Sequence, residues 1–234
     1  MGITNFIAKL LVNYDSDTSP AFKLRKIRAE RIKILINECF NKYGEVRIID
    51  IGGTRTYWNI FSLNYLAEKK VQISVVNLPS EIPLPTNDHI FTFYHGDACN
   101  LIEFKDKSFH IAHSNSVIEH VGDDANRIKF AQEIKRVSNT YYIQTPNYWF
   151  PLEPHFMTPF FQFLPEKIRI KMVQNFALGW FERSKDYHEA KAIVDSCNLL
   201  TQQDLQTLFP EAELYKEKIG FIVKSFVMIK NCIV

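Results

Sequence analysis

Two patterns of apolar residues occur along this chain: short continuous apolar runs, and longer stretches in which apolar residues recur with helical spacing. The short runs are rich in β-branched and aromatic residues, which is typical of strands buried in a parallel sheet. They occupy residues 46–51, 71–76, 90–94, 109–112 and 140–144. Helical spacing is found over about 21–43 and 59–69, and again after Asp123 or Asp124, where the predicted apolar face comprises Ala125, Ile128, Ala131 and Ile134.

The C-terminal part of the chain predicts a short helix followed by a hairpin. Thr201 and Asp204 are spaced as a capping box, and Gly220 separates two further strands at about 212–218 and 221–229. Together these elements predict an α/β fold. It is a doubly wound, Rossmann-like sheet of seven strands, mostly parallel, with an antiparallel C-terminal hairpin.

The strand and helix rhythm breaks over residues 147–181, where aromatic and proline residues crowd together. We interpret this stretch as a helical aromatic insertion after the fifth strand. The predicted organisation is an N-terminal helical segment, 1–43, and a second domain, 44–234, which carries the insertion.

Composition excludes several classes of protein. The chain has 234 residues, which suits one α/β domain, and its formal net charge of +2 gives no global electrostatic case for nucleic-acid binding. The four cysteines form no CxxC pair, which argues against a zinc or disulfide framework. No apolar run reaches the roughly 18 residues that span a bilayer. A cytoplasmic location is therefore expected.

The most informative stretch is the first predicted strand and the turn that follows it. The strand ends in Asp50-Ile51 and breaks at Gly52-Gly53-Thr54, a turn at which backbone can approach a ligand closely. A dinucleotide fingerprint would need glycine at positions 54 and 57, where the chain has Thr54 and Tyr57, and no Walker loop follows. A nucleoside cradle and a plain strand-to-helix turn both remain open.

The order of the motifs is more specific than any one of them. The chain resembles class I S-adenosylmethionine-dependent methyltransferases from about residue 44 to 229, on the segments Asp50–Thr54, Asn77-Leu78, Gly96–Ala98, Ser108-Phe109 and Asn115–Val121. The stretch Ile118–Val121 resembles the small-molecule branch. Thr145–Asn147, followed by Phe150–His155, resembles a subgroup associated with bacterial surface-glycan or lipid biosynthesis.

The resemblance implies a role for individual residues of this chain. It places Asp50 beneath the methionine amino group of the cofactor, Asn77 on the ribose and Leu78 beside the adenine. The full cofactor set that it implies is Asp50, Gly52, Gly53, Thr54, Asn77, Leu78, Asp97, Ala98 and Asn115. The chain departs from the family where Thr54 and Thr56 replace glycines, where the ribose residue is the neutral Asn77, and where His110 replaces an acid.

The histidines predict no metal site. His110 and His113 lie three residues apart on one strand, so their side chains are expected on opposite faces. In some related enzymes acids and a histidine at Glu119-His120 hold a metal, but here Ser116 replaces the companion acid. Too few oxygen ligands then remain for a hard divalent ion. Ordering of the loop over the cofactor is the expected role of Glu119-His120.

His155 and, second to it, His120 are the predicted catalytic residues. Methyl transfer relies mainly on positioning two reactants, but a hydroxyl acceptor must also lose a proton. A histidine that titrates near neutrality suits that task. Packing of His155 within an aromatic loop is the structural alternative.

Seven phenylalanines lie within residues 148–181, together with Tyr148, Trp149 and Trp180. They could form a lid and an acceptor pocket, or only the core of a small subdomain. Lys167, Arg169 and Lys171 lie beside them, which would also suit peripheral contact with an anionic membrane.

The function predicted from these features is transfer of a methyl group from S-adenosylmethionine to a small or lipid-linked acceptor. The expected acceptor is a sugar hydroxyl in surface-glycan biosynthesis. Two alternatives remain open. One is N- or C-methylation of a small metabolite or of a quinone or lipid precursor. The other is a catalytically silent binding protein on the same fold, because a fold alone does not establish a function.

Overall fold

A central seven-stranded sheet organises the computed structural model, which describes residues 20–79 and 84–232. Its strands are β1 (Val46–Ile51), β2 (Val71–Asn77), β3 (Phe91–His95), β4 (Phe109–Asn115), β5 (Ser138–Pro146), β8 (Glu213–Ile219) and β9 (Ile222–Lys230). The spatial order is β3-β2-β1-β4-β5-β9-β8, and β9 alone pairs antiparallel to its neighbours. The predicted fold is confirmed, including the C-terminal hairpin.

Helices cover both faces of the sheet. They are α1 (Pro20–Tyr43), α2 (Arg55–Trp58), α3 (Leu63–Glu68), α4 (Asp124–Val137), α5 (Glu166–Asn175), α6 (Tyr187–Asp195) and α7 (Gln202–Leu208). Alternate residues of each strand enter different cores, so Ile48 packs with α1, α2 and α3 while Ile49 packs with α4 and α7. Burial on both faces explains why the central strands lack a polar side.

The segment after β5 forms a third, smaller core. It contains the two-residue strands β6 (Leu152-Glu153) and β7 (Thr158-Pro159), a 3₁₀ turn at Phe161–Phe163, and the helices α5 and α6. Its buried residues extend from Phe156 to Cys197. The packed unit therefore continues beyond residue 181, because α6 supplies Ala190 and Val194 to the same cluster.

Two local predictions were wrong. Residues 59–69 do not form one helix, since α2 ends at Trp58 and α3 starts only after Ser62, whose side chain caps it. On α4 the buried residues are Phe130, Ala131, Ile134 and Val137, whereas Ala125 and Ile128 are exposed. The buried stripe therefore begins about one turn later than the apolar spacing predicts.

Other predictions on helix ends are confirmed. Asp123 caps α4 by accepting a hydrogen bond from the backbone N–H of Asn126, and Thr201 with Asp204 forms the expected capping box at α7. Nearly all of the predicted lead-in, residues 1–20, and residues 80–83 of the loop after β2 lie outside the described part of the chain. None of the helices described is long and apolar enough to cross a membrane.

Candidate functional site

The glycine turn lies at the carboxyl edge of the sheet, directly after β1. Gly52 has a φ of +70°, and a Cβ atom on it would overlap the side chain of Val117. A Cβ atom on Gly53 would overlap the carboxylate of Asp50. Both positions therefore require glycine, and the turn presents backbone without side chains at the edge where ligands bind in open α/β sheets.

Asp50 holds this turn from inside the protein. Its side chain is 0% exposed, with one oxygen accepting a hydrogen bond from Trp58 Nε1 at 2.7 Å and the other from His113 Nδ1 at 2.6 Å. His113 in turn faces Tyr57 Oη across 3.3 Å. Both carboxylate oxygens thus accept a hydrogen bond from inside the protein, and the side chain is fully buried. The structure gives it a supporting role that the resemblance did not predict.

Thr54 and Asn77 stabilise the same turn. The Thr54 hydroxyl caps α2 by accepting a hydrogen bond from Tyr57 N at 3.3 Å. The amide nitrogen of Asn77, at the tip of β2, donates to the Gly53 carbonyl at 3.0 Å. Beside it, Leu78 is 65% exposed although it is apolar. The tips of β1 and β2 thus form one connected edge with an apolar surface at its side.

The other residues that the resemblance placed on the cofactor lie at neighbouring strand tips. Asp97 follows β3 and accepts a hydrogen bond from Cys99 N at 2.8 Å, while Ala98 packs partly into the core. Asn115 ends β4, and its side-chain oxygen accepts a hydrogen bond from Arg28 Nη1 at 3.2 Å. The predicted cofactor residues are all at the carboxyl edge of the sheet, on four successive strand tips.

A buried ion pair links the N-terminal helix to this edge. Arg28 of α1 donates two hydrogen bonds to Glu217 of β8, at 2.7 and 2.6 Å, and Ser225 also contacts that carboxylate. Burial alone raises the pKa of Glu217, but the bonds from Arg28 outweigh it and lower the pKa. Sequence patterns did not indicate this pair, because 189 residues separate its members.

A second group of polar residues adjoins the glycine turn. Val117, which covers Gly52, is followed by a 3₁₀ turn in which His120 N donates to the Val117 carbonyl at 2.8 Å. Within that turn Glu119 is fully buried, and its Oε2 accepts a hydrogen bond from Thr145 Oγ1 at the end of β5. His120 therefore lies one 3₁₀ turn after Val117, the residue next to Gly52.

The structure brings His120 and His155 together and adds Cys197, which sequence analysis missed. The two imidazole centroids are 4.7 Å apart, and one ligand atom from each of the three side chains lies within 4.8 Å of the others. His155 Nδ1 bonds Glu153 at 2.7 Å, and His120 Nδ1 bonds the Ser196 carbonyl at 2.6 Å. We call these three residues the His-His-Cys cluster.

Electrostatics within the cluster differ from the prediction for His155. Burial lowers the pKa of His155, but hydrogen bonds to Cys197 and Glu153 outweigh that effect and raise the pKa to about 10. Burial raises the pKa of Cys197, but hydrogen bonds from His120 and His155 outweigh it and lower the pKa to about 7. In this arrangement His155 holds its proton at neutral pH rather than titrating there, as the base hypothesis had assumed.

His110 and His113 lie in separate environments. His113 is buried in the Asp50 network, while His110 stacks on Tyr43 with ring centroids 4.3 Å apart. His110 Nδ1 accepts a hydrogen bond from Arg47 N at 3.1 Å. The two side chains cannot share a ligand.

The aromatic residues of the insertion divide between its core and its surface. Phe156 and Phe161 are buried and stacked, with centroids 4.1 Å apart. Trp149 is 63% exposed and stacks on Phe163, which also contacts the exposed Phe160. The structural alternative therefore explains the first pair, whereas the exposed rings pack on one another and on Tyr148 at the surface.

Comparison with protein families matches part of this chain. A family profile described as a methyltransferase domain matches residues 64–140, from α3 to the start of β5. The match begins after the glycine turn and ends before the insertion. The family match supports methyltransferase activity that uses S-adenosylmethionine as the cofactor. No curated protein matches the chain.

Solved structures with a similar fold have low sequence identity to this chain. A candidate sarcosine dimethylglycine methyltransferase from Galdieria sulphuraria is 12% identical with a TM-score of 0.48, over 85% of this chain and 63% of its own. An S-adenosylmethionine-dependent methyltransferase from Archaeoglobus fulgidus is 15% identical with a TM-score of 0.48, over 89% and 94%. One from Methanosarcina mazei is 17% identical with a TM-score of 0.44, over 79% and 91%. These similarities assign no reaction, substrate or residue to this chain.

Proposed function

We propose that this chain transfers a methyl group from S-adenosylmethionine to a hydroxyl of a small or lipid-linked acceptor, specifically a sugar hydroxyl in surface-glycan biosynthesis. The observation that carries the proposal is the position of the His-His-Cys cluster next to the glycine turn. Val117 contacts Gly52 on one side and begins the turn that ends in His120 on the other. A cofactor seated on the turn would therefore have titratable side chains near its reactive end.

The cofactor fits the edge formed by the strand tips. The turn at Gly52-Gly53 lacks the side chains that would fill the cradle, and Asn77 fixes its backbone. We assign Asn77 to the ribose and the exposed Leu78 to one face of the adenine. When bound, S-adenosylmethionine supplies the electrophilic methyl group, and the protein supplies binding, orientation and exclusion of water.

The acceptor is assigned to the insertion, residues 147–181, because this segment leaves the carboxyl end of β5 beside the cluster. The exposed faces of Trp149 and Phe163 offer an apolar platform for a sugar ring or a lipid. We assign His155 and His120 as the catalytic residues, with uptake of the acceptor proton by the deprotonated fraction of the cluster. Because the pKa of His155 is raised to about 10, turnover on a hydroxyl acceptor should increase toward alkaline pH. Peripheral membrane contact through the same aromatic residues would suit a lipid-linked acceptor.

Methyl transfer can be tested with S-adenosylmethionine carrying a radiolabelled methyl group and a panel of sugars, nucleotide sugars, lipid-linked sugars, amines and quinone precursors. We expect label in a sugar ether. Transfer to nitrogen or carbon would favour the alternative acceptors, and cofactor binding without transfer to any class would favour a silent binding protein.

The role of the cluster is tested on the acceptor found in that panel. His155→Gln should lower turnover by about 10²–10⁴-fold for a hydroxyl acceptor, with little change in cofactor affinity. His188→Gln is the matched control, since His188 is an exposed histidine of α6 outside the cluster. Equal turnover in both variants would remove His155 from the reaction.

A further inference from the structure

We propose that the His-His-Cys cluster is a binding site for a zinc-class transition-metal ion. Three parts of the chain supply it: His120 from the 3₁₀ turn after β4, His155 from the loop between β6 and β7, and Cys197 from the end of α6. Their ligand atoms lie within 4.8 Å of one another. Two imidazole nitrogens and a thiolate are donors that suit Zn²⁺ and similar ions, whereas hard ions such as Mg²⁺ prefer oxygen.

Hydrogen bonds hold both imidazole rings in place. His120 Nδ1 bonds the Ser196 carbonyl at 2.6 Å and also lies 4.0 Å from Cys197 Sγ, and His155 Nδ1 donates to Glu153 Oε1 at 2.7 Å. An ion would bind His155 at Nε2, in place of the proton that this ring carries at neutral pH. Support of one ring nitrogen by a carbonyl or carboxylate is the usual arrangement around metal-binding histidines.

The supporting carboxylate is itself fixed. Glu153 is buried, and its Oε2 accepts hydrogen bonds from the backbone N–H groups of His155 at 2.8 Å and Phe156 at 2.7 Å. The position of the His155 ring is therefore determined by backbone rather than by flexible side chains. Ligand atoms within 4.8 Å of one another would still have to move inward to reach the bond lengths of a zinc ion.

Glu119 provides an independent indication of a missing partner. It is 0% exposed, and its Oε1 has no hydrogen-bond partner among the described residues. Glu119 lies close enough to His120 and His155 to interact electrostatically with both. A buried oxygen without a partner costs free energy, so such oxygens are rare. A cation in the cluster, or water bound to that cation, would satisfy it.

Three protein ligands leave a fourth position open, as in catalytic zinc sites. There the ion would bind the acceptor hydroxyl and lower its pKa, acting as a Lewis acid. Because the ion then occupies His120 and His155, the proton would pass to the Glu119 carboxylate, whose Oε1 has no partner among the described residues. This role rests on the proposed function, whereas binding of the ion rests only on the cluster. Metal binding is therefore measured without S-adenosylmethionine, so that failure of one proposal is distinguishable from failure of the other.

The test uses the full chain without a histidine tag, stripped with a chelator, reloaded with Zn²⁺ and passed through a desalting column. Elemental analysis should find about one zinc per chain. Reloading with Co²⁺ should give the near-ultraviolet absorption of a thiolate bound to cobalt. That absorption reports ligation by cysteine in the unmutated protein, so it does not depend on whether a variant folds.

Variants then identify the ligands. Cys197→Ser should lose the cobalt–thiolate absorption and the retained zinc, while Cys99→Ser, at a half-buried cysteine outside the cluster, should keep both. Glu153→Gln should weaken zinc binding by about 10–100-fold, as changes in outer-shell partners of metal ligands do. Absence of stoichiometric zinc in the unmutated protein, or a cobalt spectrum that is the same with Cys197→Ser, would overturn the proposal.

Discussion

The glycine turn and the His-His-Cys cluster adjoin each other at one edge of the sheet, yet they are built in opposite ways. Polar groups at and around the turn are hydrogen-bonded to one another: Asp50 bonds Trp58 and His113, and Asn77 bonds Gly53. The cluster instead gathers titratable groups from three distant segments next to a buried carboxylate oxygen without a partner. The glycine turn presents a surface without side chains, whereas the cluster brings titratable side chains together.

We therefore expect the glycine turn to act in cofactor binding and the cluster to act in the reaction. Where polar groups are satisfied internally, a substitution should act mainly through stability or cofactor affinity. Where they are held close together and incompletely satisfied, a substitution should act on the reaction or on a bound ion. Perturbed titration is common at functional sites, and in this molecule His155 and Cys197 show it while lying next to the proposed acceptor site.

The largest effect outside the cluster is expected from Asp50→Ala. This substitution leaves the buried N–H groups of Trp58 and His113 without their acceptor. Leaving a buried donor without its acceptor costs about 1–3 kcal/mol. The free energy of unfolding, measured by denaturant titration, should fall by that amount for each of the two donors, with Asp50→Asn less affected because it retains an acceptor oxygen.

The opposite result would change the role of Asp50. If Asp50→Ala unfolds like the unmutated protein but loses affinity for S-adenosylmethionine, the carboxylate contacts the cofactor directly. The resemblance implied that contact.

A smaller effect is expected at the tip of β2. Asn77→Leu should weaken S-adenosylmethionine binding by about 1–3 kcal/mol, because it leaves ribose hydroxyls and the Gly53 carbonyl without a polar partner. Asn77→Asp should bind better than Asn77→Leu, since it retains acceptors for the ribose. Titration calorimetry measures both variants. Equal affinity of Asn77→Leu and the unmutated protein would separate Asn77 from the cofactor.

The pH dependence of stability should report the buried ion pair between Arg28 and Glu217. The pKa of Glu217 is lower in the folded protein than in the unfolded chain, so the pair with Arg28 stabilises the fold above the ordinary glutamate pKa. That stabilisation is lost as the pH falls through the folded value. The melting temperature of the unmutated protein should therefore drop toward acid pH.

Glu217→Gln isolates this contribution. Its melting temperature should be lower at neutral pH and change less on acidification, whereas Glu213→Gln, at an exposed position of the same strand, should follow the unmutated profile. Parallel profiles for all three proteins would show that the buried pair does not control acid stability.

The sheet and the glycine turn could be predicted because local sequence determines them. Residues 46–54 combine a buried strand with two glycines that no other residue can replace without overlap, and the structure has the strand at Val46–Ile51 as predicted. The caps at Asp123 and Thr201 could also be predicted from local sequence, because each residue directly precedes the helix that it caps. Hydrophobic periodicity was less reliable at α4, where Ile128 has the right spacing but is 50% exposed.

The cluster could not be predicted because tertiary packing creates it. His120 and Cys197 are separated by 77 residues, and no spacing in the sequence connects them. His155 was identified from its aromatic surroundings, but its raised pKa depends on Cys197 and Glu153. The sequence has too few oxygen ligands near His120 for a hard ion, whereas the structure brings nitrogen and sulfur atoms of His155 and Cys197 close to it.

The most direct test of the account is a crystal structure of the protein with S-adenosylmethionine or its demethylated product bound. We predict the ribose at Asn77, the adenine against Leu78, and the sulfur directed toward the His-His-Cys cluster. A cofactor bound away from the Gly52-Gly53 turn, or one whose sulfur faces away from His120 and His155, would contradict the claim that binding and chemistry meet at this edge.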